Sequence, residues 1–158
     1  MADRIASGLI DVAGKTVIEM GAGTGLPGIM SVVKGSALTV LTDYDDPKLI
    51  STLRGNVLQC LLTPNERSRA KVIPHIWGQE TEDLLEYVIP SPSGYDLILC
   101  ADILWDTFSH PLLLRTLIPL LSRTPTSRII VISGLHTGRA PLARFVRLAS
   151  AQGLIVDE

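Results

Sequence analysis

A glycine-rich turn between an apolar stretch and a proline constrains this chain more than any other feature. Residues 15–20 are apolar enough to form a buried strand, and residues 21–25 follow directly with the sequence Gly-Ala-Gly-Thr-Gly. Alternate glycines permit a sharp bend and let a ligand approach the backbone closely. Pro27 then fits the first turn of a helix. The pattern predicts a strand, a turn and a helix N-terminus that bind a nucleotide or nucleoside at the carboxyl end of a parallel strand.

The glycine turn is compatible with more than one ligand. Residues 23–28 also match the dinucleotide-binding pattern G-x-G-x-x-G, and Asp43 follows the first glycine by about 20 residues, where an acid can hold a ribose. Glu19 favours a different ligand, because it lies on the strand that forms the floor of the site. We expect its carboxylate to repel a pyrophosphate and to attract a ligand with an amine and a sulfonium. S-adenosylmethionine has both groups.

Composition predicts one globular domain, 1–158, with a large apolar core. Of the 158 residues, 46% are hydrophobic and 19% are charged, and the formal net charge is −2. This charge indicates no nucleic-acid partner. Without a membrane-length apolar run or a signal-peptide pattern, we expect a cytoplasmic location and no membrane partner. Cys60 and Cys100 are expected to be buried free thiols, and no residue spacing indicates a metal site.

Apolar periodicity predicts strands that alternate with helices. Strands are expected at 15–20, 37–42, 71–77, 95–101 and 128–133, with a further strand beginning at 154–156. Helices are expected at 3–12, 26–34, 47–62, 81–89, 111–121 and 140–152, with a polar loop at 63–69. This alternation predicts an α/β fold with a doubly wound parallel sheet.

Acidic and aromatic residues follow the predicted strands. Asp43 ends the second strand, where its carboxylate can bind both ribose hydroxyls, and Tyr44 beside it can lie against adenine. Trp77, at the tip of the third strand, can also contact adenine. Asp102 and Trp105 follow the fourth strand, where the acid can accept a hydrogen bond from an incoming amine and the ring can shelter its charge. The structural alternatives are packing for the aromatic residues and turn capping for the acids.

Other polar residues have mainly structural interpretations. Asp46 before Pro47 predicts an N-cap with proline at the first helical position. His75 is expected to be an ordinary strand side chain, and His110 a capping or surface group. His136, beyond the fifth strand, is a candidate for the mouth of the substrate site.

These motifs, in this order, resemble those of the seven-strand, Rossmann-like methyltransferases. Residues 19–25, Glu-x-Gly-x-Gly-x-Gly, are similar to the first motif, and segments 42–47, 76–78 and 101–105 are similar to those of the branch that includes nicotinamide N-methyltransferase. Within that branch the chain most resembles fungal protein N-terminal and lysine methyltransferases acting on translation elongation factor 1-alpha. The resemblance implies a Rossmann-like fold, S-adenosylmethionine as cofactor and a protein amine as acceptor, with elongation factor 1-alpha as one candidate.

The resemblance also implies roles for individual residues. It indicates a cofactor site formed by Glu19, Gly21, Ala22, Gly23, Asp43, Trp77 and Ala101. In this site residues 21–23 line the methionine part of the cofactor, and Trp77 and Ala101 border its adenine. Asp102 and Trp105 match the acid-x-x-aromatic motif beside the methyl acceptor and are the candidate catalytic residues.

The chain departs from the family pattern at both ends. Family members carry a longer N-terminal segment with an aromatic residue that helps close the cofactor site, and C-terminal strands that form a hairpin beside the fifth strand. Neither is recognisable in this sequence, so the domain is expected to be truncated at both ends. Strand 128–133 would then be an open apolar edge, which favours self-association. Residues 136–139 match the family's His-Arg-Pro-type loop only loosely.

The acceptor class follows from the protonation of amines, since only an unprotonated nitrogen attacks a methyl group. A lysine amine has a pKa of about 10.4 and an α-amino group one of about 7.7 to 8.0. The absence of an obvious general base is therefore easier to reconcile with an N-terminal amine. The alternatives are a nicotinamide-type small-molecule methyltransferase, a nucleotide-dependent oxidoreductase and an inactive, truncated binding module. The sequence does not determine the number of methyl groups transferred or the oligomeric state.

Overall fold

Strands and helices alternate along the chain in a computed structural model, which describes residues 1–88, 94–135 and 138–157. The strands are β1 (Thr16–Met20), β2 (Leu38–Asp43), β3 (Ala70–Pro74), β4 (Leu97–Ala101) and β5 (Arg128–Ile132). The helices are α1 (Ala2–Ala6), α2 (Leu26–Val33), α3 (Pro47–Cys60), α4 (Pro64–Ser68), α5 (Glu82–Leu85), α6 (His110–Leu120) and α7 (Ala140–Ala151). A short 3-10 helix, Glu86–Val88, follows α5.

The strands form one parallel sheet in the order β3-β2-β1-β4-β5. This arrangement confirms the predicted doubly wound sheet. The chain runs outward from β1 to β2 and β3 and then crosses to β4 on the other side of β1. Ligands of such sheets bind at the carboxyl ends of the strands, where the direction of winding reverses. The glycine turn follows β1 at this position.

Helices cover both faces of the sheet. Alternate residues of the central strands, such as Ile18 and Ile98, pack in a core with α5, α6 and α7. On the opposite face, Val17 and Leu99 pack with α1, and Leu41 packs with α2 and α3. Because side chains alternate along a strand, Glu19 shares a face with Val17 and points toward α2. This orientation lets the Glu19 side chain accept a hydrogen bond from the backbone of α2.

Three secondary-structure predictions are wrong. Helix 3–12 ends at Ala6, since Gly8 has a φ of +79°, and the rest of the segment is irregular. Segment 63–69 contains helix α4, because Thr63 and Glu66 form a capping box. No strand forms at 154–156, where Ile155 is exposed.

The end of the third strand and the burial of one cysteine also differ from the sequence-based expectations. Strand β3 ends at Pro74, so Trp77 lies in a turn beyond the strand. Cys100 is buried as expected, but Cys60 is exposed. Among the described residues, no helix is long and apolar enough to cross a membrane, and no cluster of His, Cys, Asp or Glu is arranged to hold a metal ion.

Candidate functional site

The open side of the glycine turn lies at Gly23. Its φ is +56°, and a Cβ built on it would have no atom within 4 Å, so its backbone borders open space. The Gly23 N–H donates to Asp43 Oδ2 at 2.5 Å, and the Tyr44 N–H donates to Asp43 Oδ1 at 2.7 Å. The half-buried Asp43 carboxylate thus joins the end of β2 to the turn after β1. A ligand can reach the turn backbone and this carboxylate together.

The later glycines of the turn face the protein interior. A Cβ on Gly25 would lie 2.5 Å from Leu53 Cδ1, and one on Gly28 would lie 2.6 Å from Leu41 Cδ2. These glycines therefore let α2 pack closely against β2 and α3. The middle glycine of a dinucleotide fingerprint lets the backbone approach the pyrophosphate. Gly25, at that position of the pattern, is turned toward the core instead.

The Glu19 side chain makes a hydrogen bond to the first turn of α2. Its side chain is buried, and its Oε2 accepts a hydrogen bond from the Gly28 N–H at 2.8 Å. Burial raises the pKa of the Glu19 carboxyl to about 8, the Gly28 hydrogen bond opposes this rise, and the Asp43 charge adds to it. At neutral pH the carboxyl is mostly protonated, and its observed contact is with α2.

Two side chains from neighbouring segments approach the turn at Gly21. A Cβ on Gly21 would lie 2.9 Å from Ile103 Cγ2 and 3.4 Å from Trp77 Cζ2. Trp77 is half-buried and reaches the turn from the segment after β3. Ile103 was not predicted as a site residue, because an apolar residue inside the segment 101–105 carries no chemical signal. Ala22 is buried, and its N–H donates to the Thr42 carbonyl at 2.9 Å.

Asp102 joins the carboxyl ends of β4 and β5. Its φ of 58° is the only positive value at a non-glycine residue in the described ranges. Its N–H donates to the Ile132 carbonyl at 2.7 Å, and its Oδ1 accepts from the Gly134 N–H at 3.0 Å. Unusual backbone conformations of this kind cluster at functional sites. Ala101, just before it, is half-buried at the last position of β4.

The loop after Asp102 exposes two aromatic rings. Trp105 is 63% exposed and Phe108 is 90% exposed. Between them, Asp106 accepts hydrogen bonds from the Phe108 N–H at 3.0 Å and from the Ser109 hydroxyl. The hydroxyl bond is the main cause that lowers the pKa of Asp106. Phe108 was not predicted, although its position three residues after Trp105 was an available signal.

His75 and His110 are buried, and His136 cannot be placed in the site. His110 is buried, its Nε2–H donates to the Leu104 carbonyl at 3.0 Å, and its ring meets Phe145 edge-on, so the expectation of a surface group is wrong. His75 is buried just after β3 and lines a cavity of ≈ 620 Å³ with Glu82 and other residues. Burial lowers the pKa of His75. His136 lies outside the described residues.

The fold brings the predicted residues to one edge of the sheet. Hydrogen bonds and contacts join residues 21–23 to Asp43 and Trp77. In the sheet, Met20 pairs with Cys100, so the glycine turn and Ala101 leave the sheet side by side. Asp102 and Trp105 follow on the same edge. This arrangement places the glycine turn, an acid and exposed aromatic rings at one edge of the sheet.

Comparison with known proteins identifies related sequences. Residues 3–148 match a family model described as lysine methyltransferase. A protein N-terminal and lysine N-methyltransferase from Aspergillus fumigatus is 34% identical over 128 residues, covering 80% of this chain and 48% of that protein. One from Cryptococcus neoformans is 37% identical over 110 residues, covering 70% of this chain and 36% of that protein. This chain therefore matches half or less of the length of these relatives.

The fold also occurs in solved structures. A TehB-like SAM-dependent methyltransferase from Corynebacterium glutamicum superposes with a TM-score of 0.69 at 18% sequence identity. The match covers 99% of this chain and 74% of that one. At this identity the likeness shows the fold, which agrees with the expected Rossmann-like architecture.

Proposed function

This chain belongs to the lysine methyltransferase family, and from this premise we propose that it forms the core of an S-adenosylmethionine-dependent N-methyltransferase acting on a protein amine. The observation that carries the proposal is the open backbone of Gly23 beside the Asp43 carboxylate. This pair lies at the carboxyl edge of a doubly wound sheet, where nucleosides bind. The family match and the geometry of this edge both support the proposal.

The residues at this edge fit the proposed cofactor. Each Asp43 oxygen accepts one backbone N–H and retains capacity for a second donor, as binding of two ribose hydroxyls requires. The backbone of residues 21–23 would line the methionine part, and Trp77 and Ala101 would border adenine. Glu19 would act through the turn, since its hydrogen bond fixes Gly28 at the start of α2.

Catalysis in this site would rest mainly on orientation. When bound, S-adenosylmethionine supplies a methyl group that is already activated by the sulfonium. Because the cofactor would supply this activated group, the residues of the site would serve mainly to align the amine nitrogen with the methyl carbon. Asp102, held by the Gly134 N–H, would orient the amine, and Trp105 would form a wall of the acceptor site. An N-terminal α-amine needs little help to lose its proton.

Specific observations weigh on the alternatives. Gly25 faces the core at the position where a dinucleotide fold brings backbone to the pyrophosphate, which disfavours the oxidoreductase. The exposed rings of Trp105 and Phe108 suit a macromolecular acceptor better than a small one of the nicotinamide type. The relatives are protein N-terminal and lysine N-methyltransferases, which supports a protein acceptor. The sequence resemblance puts forward elongation factor 1-alpha, and that acceptor would imply a cytoplasmic location.

Calorimetric titration with S-adenosylhomocysteine, with NAD as control, tests the proposal. We expect micromolar binding of S-adenosylhomocysteine and none of NAD. Binding of NAD alone would support the oxidoreductase, and binding of neither would support an inactive binding module. The acceptor is then tested by methyl transfer to elongation factor 1-alpha with a free or an acetylated N-terminus. Loss of transfer on acetylation would identify the α-amine.

The proposal includes self-association through β5. Among the described residues, β5 pairs only with β4, so its other edge lies open in this part of the chain. Open edge strands present unpaired backbone groups that recruit another chain. A second copy of this chain is the partner that we propose for this edge.

A further inference from the structure

Trp105 and Phe108 are two exposed aromatic rings in the loop between β4 and α6, and we refer to this pair as the aromatic ridge. Both rings are mostly exposed, and both follow Asp102 at the edge that carries the candidate cofactor site. Leu104, just before Trp105, is buried, so the start of the loop is anchored in the core while the two rings are exposed. Exposed large aromatic rings beside a functional site are typical of binding surfaces.

Three side chains hold the loop that carries the ridge through four hydrogen bonds. The Asp106 carboxylate accepts from the Phe108 N–H and from the Ser109 hydroxyl. The buried His110 ring donates to the Leu104 carbonyl, and the Arg144 guanidinium of α7 donates to the Thr107 carbonyl. A loop fixed in this way loses little conformational freedom when a partner binds. The backbone that carries the two rings is therefore preorganised for a partner.

The charges near the ridge indicate the chemistry of that partner. Asp102 and Asp106 flank Trp105, and the pKa of Asp106 is lowered by its bond to Ser109, so this carboxyl is ionised at neutral pH. The nearby Arg144 guanidinium donates to a backbone carbonyl and keeps its positive charge, so the two acids outnumber it in this loop. Aromatic faces beside carboxylates attract ammonium groups by cation–π and Coulomb interactions. Anionic lipid headgroups would be repelled by the same carboxylates.

We propose that the aromatic ridge docks the cationic polypeptide segment that carries the acceptor amine, and that Phe108 is a specificity determinant for this segment. The inference rests on the proposed function, because it assigns the acceptor side of the same site. It goes further, because it identifies the partner as a lysine-rich or N-terminal segment. Phe108 would bind this segment outside the methyl-transfer centre. Removal of the Phe108 ring weakens acceptor binding and leaves cofactor binding unchanged.

Fluorescence quenching tests the docking without catalysis. Acrylamide quenches exposed tryptophan, so it reports on Trp105 more than on the half-buried Trp77, and Trp105→Phe verifies the assignment. We expect an oligolysine peptide to protect Trp105 from acrylamide, and an oligoglutamate peptide of equal length to have no effect. Equal effects of the two peptides would overturn the proposal. Protection by phosphatidylserine vesicles in place of oligolysine would make the ridge a membrane contact and overturn it as well.

A matched pair of variants tests the role of Phe108. Phe108→Ala removes an exposed ring at the proposed surface, and Leu62→Ala removes an exposed side chain that follows α3, at the opposite edge of the sheet. With recombinant elongation factor 1-alpha as acceptor, Phe108→Ala should raise the acceptor KM about tenfold with kcat unchanged. Leu62→Ala should change neither. Equal KM values for both variants would overturn the assignment.

The outcomes separate this inference from the proposed function. Binding of S-adenosylhomocysteine without peptide protection of Trp105 would leave the methyltransferase proposal in place and overturn the ridge. Peptide protection that Phe108→Ala abolishes, without binding of S-adenosylhomocysteine, would support the ridge and count against the methyltransferase. Conversion of a self-associated protein to a monomer by Phe108→Ala would overturn the inference, because the ridge would then bind a second copy.

Discussion

Replacement of Glu19 by glutamine should make the protein more stable, and increasingly so as the pH rises. The pKa of the buried Glu19 carboxyl is raised from 4.5 to about 8. Between these values the folded state holds a proton that the unfolded state has released. The stability associated with this proton is fully present below pH 4.5 and is lost as the pH rises through about 8. Glutamine avoids the loss, because it stays neutral and its amide oxygen can still accept from Gly28.

The magnitude follows from proton linkage. A difference of one bound proton changes the free energy of unfolding by about 1.4 kcal/mol per pH unit. Between about pH 5.5 and 7.5, the wild-type protein should therefore lose about 3 kcal/mol relative to Glu19→Gln. Both proteins share all other titrating groups, so the difference between them isolates Glu19.

Urea denaturation of both proteins at several pH values measures this difference. Glu66→Gln is the matched control, because the pKa of Glu66 is lowered by hydrogen bonds from Thr63. Glu66 is thus ionised in both states over this pH range, and its contribution to stability should not vary with pH. If the difference in unfolding free energy between the wild type and Glu19→Gln were also independent of pH, the reasoning would be refuted, because the folded protein would not hold the proton.

The remaining predictions concern the turn, the acceptor side and the sheet edge. Gly25→Ala should destabilise the protein by about 3 kcal/mol in urea denaturation, because its methyl group meets Leu53, and unchanged stability would contradict this packing. Gly23→Ala should lower the free energy of unfolding by only about 1 kcal/mol, but it should weaken S-adenosylhomocysteine binding in titration. Undiminished affinity would argue against ligand binding at the open backbone of Gly23. Asp102→Ala should lower turnover more than cofactor affinity, and equal losses in kinetics and titration would count against its role. Light scattering should detect self-association through β5, and a monodisperse monomer at high concentration would contradict the open edge.

The sequence alone was sufficient to predict the fold, and it placed the candidate site residues after the ends of the predicted strands. Alternating apolar segments predicted the parallel sheet, and the alternate glycines predicted the turn after β1. The predicted N-cap is confirmed, since the Asp46 carboxylate accepts from the Lys48 and Leu49 N–H groups. These features depend on residues close together in the chain, so periodicity and capping rules reveal them. The capping box of Thr63 and Glu66 is a local signal of the same kind, although segment 63–69 was predicted to be a loop.

The tertiary structure alone decided what each site residue contacts. The glycines look alike in the sequence, yet Gly23 borders open space and Gly25 meets Leu53, a residue of another helix. In the same way, only the packing of α2 over β1 buries Glu19 and raises its pKa, and only the anchored loop after β4 exposes Phe108. Burial, protonation and accessibility depend on segments that are distant in the chain. Local patterns therefore locate the site, while the packing of distant segments determines its chemistry.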